Sequence, residues 1–165
     1  MTRTASVLVV GVGNEHRGDD ALGLEVARAL VRRVPSSVKV VEAGDDLTEI
    51  LDLWQDVDLA IVVDTFRSEG SAGEIVRWAG PALDNIASQG PLSTHGLSLP
   101  QALALGRTLE KVPRQLVVYG IRGSDFRIGR PIAAEVARAL PEVEQRILTE
   151  ISNLGRDVHL LEGGR

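Results

Sequence analysis

Cysteine is missing from this 165-residue chain, which excludes disulfides, thiolate metal ligands and a cysteine nucleophile. Aromatic residues make up only 3%, so a core has to be built from Val, Leu, Ile and Ala. Lysine is almost absent, Lys39 and Lys111 standing against an arginine majority. No basic run exceeds Arg32-Arg33, and the net charge is −5. Such a balance argues against a nucleic-acid partner, which calls for a basic patch. No apolar run approaches the ~18 residues of a membrane span. Met1–Ser6 leads into an apolar run without signal-peptide organisation, so the expected location is the cytoplasm and no membrane partner is expected.

What is present is ordinary for a globular protein: 44% apolar and 25% charged residues. The length suits a single domain over 1–165 that buries roughly 70% of its unfolded surface, with residues 156–165 expected as a loose tail. Short apolar, β-branched runs alternate with helical patterns. Ser6–Val12, Val38–Val41, Leu59–Val63 and Gln115–Ile121 read as strands, and Glu74–Trp78 alternates like a half-exposed edge strand. Helices are expected over Ala21–Arg33, Leu47–Gln55, Ser98 to about Lys111, and Ile132–Leu154 with an end near Gly155. Ser98 followed by Gln101 forms a capping box with Pro100 in the first turn. The alternation implies an α/β fold of three layers, helix/sheet/helix, around a mainly parallel sheet. Ligands of such sheets bind beyond the carboxyl ends of the strands.

Polar candidates fall at those ends. Asp19 and Asp20 follow the first strand, Asp64 ends the third, and His95 precedes the Ser98 cap. Two carboxylates and an imidazole suit a borderline divalent ion such as Ni, Zn or Fe, and three protein ligands leave positions open for water or substrate. Each also has a plainer reading. One of the Asp19/Asp20 pair can cap the first helix; Asp19 is expected to cap while Asp20 points into the cleft. Asp64 can be a turn residue and His95 a loop residue. Asn14 can hold Asp20 or simply make a turn. His16 and His159 read as solvated, His16 at the cleft rim. Spacing alone does not show that Asp20, Asp64 and His95 meet.

The segment Gly11-Val12-Gly13-Asn14, four loop residues, then Asp19-Asp20 and Gly23 resembles the opening signature of the hydrogenase maturation proteases, with Ala21 where many members carry glycine. Val62-Val63-Asp64-Thr65 is similar to their second acidic segment, Ser93-Thr94-His95-Gly96 to their histidine segment, and Val118-Tyr119-Gly120-Ile121 to their last strand. The resemblance runs in order along nearly the whole chain. It implies a twisted, mostly parallel five-stranded sheet with one antiparallel strand, placed at Glu74–Trp78. It implies an endopeptidase, in a family sometimes grouped with aspartic peptidases. That enzyme would remove the C-terminal extension of a nickel–iron hydrogenase large-subunit precursor after nickel insertion. Asp20, Asp64 and His95 would be its metal ligands, and the nickel would arrive within the precursor. Gly11 and Gly13 would let the first loop turn tightly under the substrate.

Two other classes share the same features. A non-enzymatic, metal-dependent binding module or chaperone would use the same ligands. A dinucleotide-binding domain is suggested by Gly11-x-Gly13 and by Glu42 at the second strand's end. Against it, His16 stands where the third glycine would fall, and two acids at the helix start would repel a pyrophosphate.

Overall fold

The computed structural model describes residues 4–89 and 97–162, and the side chains of all of these except 87–89 and 155–162. Five strands form one sheet: β1 (Val7–Val12), β2 (Val38–Ala43), β3 (Leu59–Phe66), β4 (Ile75–Ala79) and β5 (Gln115–Arg122). Their order is β2-β1-β3-β5-β4. The first four in that order run parallel, and β4 pairs antiparallel with β5 at the edge. Every residue of β1 and β3 is buried, as unbroken apolar runs covered on both faces require. Edge strands β2 and β4 are only partly buried.

Helices cover both faces. On one lie α1 (Leu22–Leu30), α4 (Ala134–Ala137) and α5 (Leu140–Glu162), whose Leu22, Val26, Leu30, Val136, Val143 and Ile147 pack on Val7, Val9, Ile61, Val63 and Tyr119. On the other lie α2 (Ile50–Trp54), α3 (Leu99–Thr108) and a 3-10 segment, Gly80–Gln89. There Trp54, Leu83, Ile86 and Leu103 meet Leu8, Val10, Val62 and Val118. The 3.6-residue stripe of α1 and the period-2 alternation of the central strands therefore fit together as two half-cores on one sheet.

The α/β class, the five strands and the antiparallel edge are as expected; several boundaries are not. The first helix is shorter than the expected Ala21–Arg33, running Leu22–Leu30, and a buried 3-10 turn at Gly18–Ala21 leads into it. The span 132–154 is two helices, because Pro141 needs the first turn of a new helix, where its missing N–H costs nothing. Helix α5 runs past Gly155 to Glu162, so Gly155 does not end it and the expected loose tail is helical over 156–162. Strand β3 continues beyond Val63 to Phe66: Asp64 lies inside the strand, paired across from Gly120 of β5, and does not terminate it. The α3 capping box is formed, the Ser98 side chain accepting from the Gln101 N–H and the Ser98 N–H donating to the Gln101 side chain.

Candidate active site at the carboxyl ends of β1 and β3

From β1 the chain returns through α1 to β2 on one side; from β2 it crosses by α2 to β3 on the other. β1 and β3 are thus neighbours whose outgoing connections diverge, the switch point at which open α/β sheets bind ligands. Asp20 reaches this point from the 3-10 turn after β1, and Asp64 from within β3.

Three glycines bring the backbones close enough. A Cβ on Gly11 would lie 2.1 Å from the Gly23 carbonyl oxygen, and one on Gly13 would lie 1.8 Å from that of Asp20. A Cβ on Gly23 would meet the carbonyls of Val12 at 2.2 Å and Val63 at 2.8 Å. Only bare backbone lets α1 press onto the ends of β1 and β3. Gly11 therefore serves helix–strand packing within β1; the tight approach of the loop falls to Gly13.

Asp20 is 7% exposed and Asp64 1%. Burial, then the negative charge of Asp45, push the Asp20 carboxyl up to about 6, against the opposing pull of Arg17, the Thr65 hydroxyl and the Asn14 N–H. Burial, then the charge on Asp20, push Asp64 well above the ordinary carboxylate range. The two acids are thus near enough to repel. Thr65 ties them together: its N–H donates to Asp64 Oδ1 at 2.8 Å, and its hydroxyl donates to Asp20 Oδ1 at 3.4 Å. Asp64 Oδ2 is buried and has no hydrogen-bond partner among the described residues. A buried carboxylate oxygen without a donor is costly; a cation placed there would satisfy it and relieve the repulsion. The acid pair therefore fits a metal. Among the described residues no group of three or more His, Asp or Glu side chains is arranged to hold an ion, and His95 lies outside them. The described chain resumes at Leu97, whose carbonyl accepts from the Leu47 N–H at 3.3 Å, two residues beyond Asp45.

Asp19 does not cap the first helix. Its side chain makes no cap hydrogen bond there. Fully buried, it accepts at Oδ2 from the backbone N–H of Ser124 (2.6 Å) and Asp125 (2.7 Å), and at Oδ1 from Ala133 N–H (2.7 Å). It fastens the loop after β5 onto the loop after β1, because three free N–H groups there outcompete those of one short turn. Asn14 follows the turn reading, its Oδ1 accepting from the His16 N–H at 2.9 Å. His16 is exposed and helps line a cleft of about 340 Å³ between the loops after β1 and β2, with Gly13, Asn14, Glu42 and Asp45. Glu42 is taken up by Arg28, at 2.9 and 2.7 Å, and so is not free for a ribose. A larger cavity, about 440 Å³, lies at the opposite end of the sheet beside Gln115 and Glu150, away from the acid pair. His159 falls in the last part of α5, 155–162, where side chains are outside the described residues.

Sequence reading passed over Asp45 and Thr65. Asp45 follows the carboxyl end of β2, the position rule that singled out Asp20 and Asp64; Thr65 becomes visible only once β3 is seen to continue past Asp64.

Fold and site together define a doubly wound α/β domain with a buried carboxylate pair at its switch point. The sequence model of the hydrogenase maturation protease family, HycI, matches residues 24–150. A Methanocaldococcus jannaschii relative, provisionally named a hydrogenase maturation protease, is 31% identical over 88% of this chain and 96% of its own length. The hydrogenase 2 maturation protease of Escherichia coli is 27% identical over 70% of this chain and 71% of its own. In three dimensions the E. coli hydrogenase-maturating endopeptidase HybD superposes with a TM-score of 0.80 at 22% identity, covering 90% of this chain and 93% of its own. The nickel–iron hydrogenase maturation protease HycI of Thermococcus kodakarensis gives 0.67 at 23%, over 89% and 92%. The chain belongs to the hydrogenase maturation protease family.

Proposed function

We propose that this protein is the endopeptidase that removes the C-terminal extension of a nickel–iron hydrogenase large-subunit precursor once nickel has been inserted. In this reading Asp20, Asp64 and His95 complete the coordination of the nickel that the precursor carries. The observation that carries it is the partnerless, buried Oδ2 of Asp64 beside a second buried acid. Membership in the family supports the peptidase class, and among the described residues no helix is long and apolar enough to cross a membrane. Action in the cytoplasm, on a precursor not yet assembled, is part of the proposal.

The residues would divide the work as follows. Thr65 fixes one oxygen of each acid and the other oxygen of Asp64 has no hydrogen-bond partner among the described residues, so little ordering would be left to be done when a cation binds there. Nickel held by the precursor would supply polarisation of the scissile carbonyl and would lower the pKa of a bound water. Before the precursor arrives, burial and the charge of Asp45 push the Asp20 carboxyl up to about 6, so at neutral pH it is largely ionised and ready to meet an incoming cation.

The test is intact mass of a nickel-loaded precursor before and after incubation with the protein. The wild type should release a C-terminal peptide; Asp20→Asn, Asp64→Asn and His95→Ala should each lower the rate by at least about a thousandfold with unchanged circular dichroism. Full processing by all three variants would sink the assignment. Binding without any loss of mass from the wild type would favour a metal-dependent chaperone instead.

A further inference from the structure

The loop from Gly123 to Ala133 leaves β5 directly beside the strand that carries Asp64 and is fastened by the residue next to Asp20. Asp19 holds it near both ends, through Ser124, Asp125 and Ala133. The His16 carbonyl accepts from the Gly129 N–H at 2.8 Å, which pins the far side. A loop tied at both ends and its middle has little freedom left to lose when a partner settles on it.

This held loop displays Ile128 at 80% exposure, the highest among the large apolar side chains of the described residues. Exposed single apolar residues are common; one fixed at a braced tip beside buried catalytic acids is a different case. Its charged neighbours are already occupied: Arg127 contacts Asp125 at 2.8 Å and Arg130 the same carboxylate at 3.4 Å. Two guanidiniums share one carboxylate, so the tip offers apolar area on a base with a surplus positive charge, which matches a spot on the precursor that is apolar and rimmed by acidic side chains.

We propose that the 123–133 loop is the docking wall for the precursor protein, with Ile128 as its apolar contact and specificity determinant and Asp19 as the positioning residue that holds the wall against the catalytic acids. The proposal rests on the peptidase reading and adds where the body of the precursor seats. Burying one such side chain gives roughly a tenfold effect or more on affinity. Since the wall does not touch the scissile bond, the effect belongs in KM and not in kcat.

The experiment is steady-state processing of the nickel-loaded precursor by the full chain, read by mass spectrometry, for wild type, Ile128→Ser and Ile128→Leu. Ile128→Ser should raise KM about tenfold with kcat unchanged, and Ile128→Leu should restore most of the loss. A KM within twofold of wild type for Ile128→Ser, or a fall confined to kcat, would overturn the proposal. Failure of the wild type to cleave would instead overturn the peptidase reading. Exposed Ile128 can be replaced without disturbing the core, so these variants should fold.

Discussion

At Asp20 the proposed role and stability pull against each other. Its carboxyl titrates near 6 in the folded protein against 3.8 for an ordinary Asp. As pH rises from 3.8 to 6 the unfolded chain gives up this proton first, so the residue's contribution to stability falls through that window and stays low above it. Asp20→Asn should therefore be more stable than wild type at pH 7.5, and the gain should shrink as pH falls to 4.5; urea midpoints across that range, taken in a chelator, measure it. A gain of constant size would show that the carboxyl is not raised. Asp64, more deeply buried and with one oxygen unpartnered, is destabilising in the same direction. Stability given up at a binding site is a common trade.

At the scale of elements, strands were the most legible part of the sequence. Continuous Val/Ile/Leu runs leave β1, β3 and β5 no other place than the middle of a parallel sheet, and the alternation of Glu74–Trp78 marked the edge. Ser98 and Gln101 announced α3 because their capping chemistry is local. What depended on tertiary contact stayed hidden. The extension of β3 through Asp64 to Phe66 is fixed by pairing with β5, and the role of Asp19 by N–H groups more than a hundred residues away. The 3-10 segment Gly80–Gln89 carries neither a clear helical nor a strand period. The end of α3 is a further case. Lys111 N–H donates to Gly106 O and Glu110 N–H to Arg107 O, a Schellman closure that puts exposed Glu110 at φ 57°. Glycine suits that position. Glu110→Gly should stabilise the protein by about 1 kcal/mol, seen calorimetrically as a rise in Tm of about 3 °C for a domain of this size.

For the whole molecule, the candidate site is assembled from segments far apart in sequence: the turn after β1, the interior of β3 and the loop after β2. The sequence supplied the acids and their order; the sheet supplied their proximity. Negative charge gathered at one end has a consequence for partner choice. In the proposed reading Asp20, with Asp45 nearby, would oppose an anionic, metal-free precursor site, and together with Asp64 would welcome one that carries a cation. The chain carrying Asp20→Asn and Asp64→Asn together should lose this discrimination, whereas the wild type should bind nickel-loaded precursor at least tenfold more tightly than the nickel-free form, as calorimetric titration can measure. Equal affinities in the wild type would remove the acids from any part in sensing the metal.

The clasp made by Asp19 also separates what has to stay fixed from what is free to vary. Its three anchor points, the N–H groups of Ser124, Asp125 and Ala133, are main-chain amides and make no demand on the exposed side chains strung between them. The exposed Arg127, Ile128, Arg130 and Pro131 can thus be recoded while Gly129, at φ 78°, Phe126, beneath the Arg67 guanidinium, and Ile132, packed on the core, are kept and the acids of β3 and the first turn hold their places. Exchange of those exposed residues between paralogous proteases should be the shortest route to redirecting one of them to another precursor.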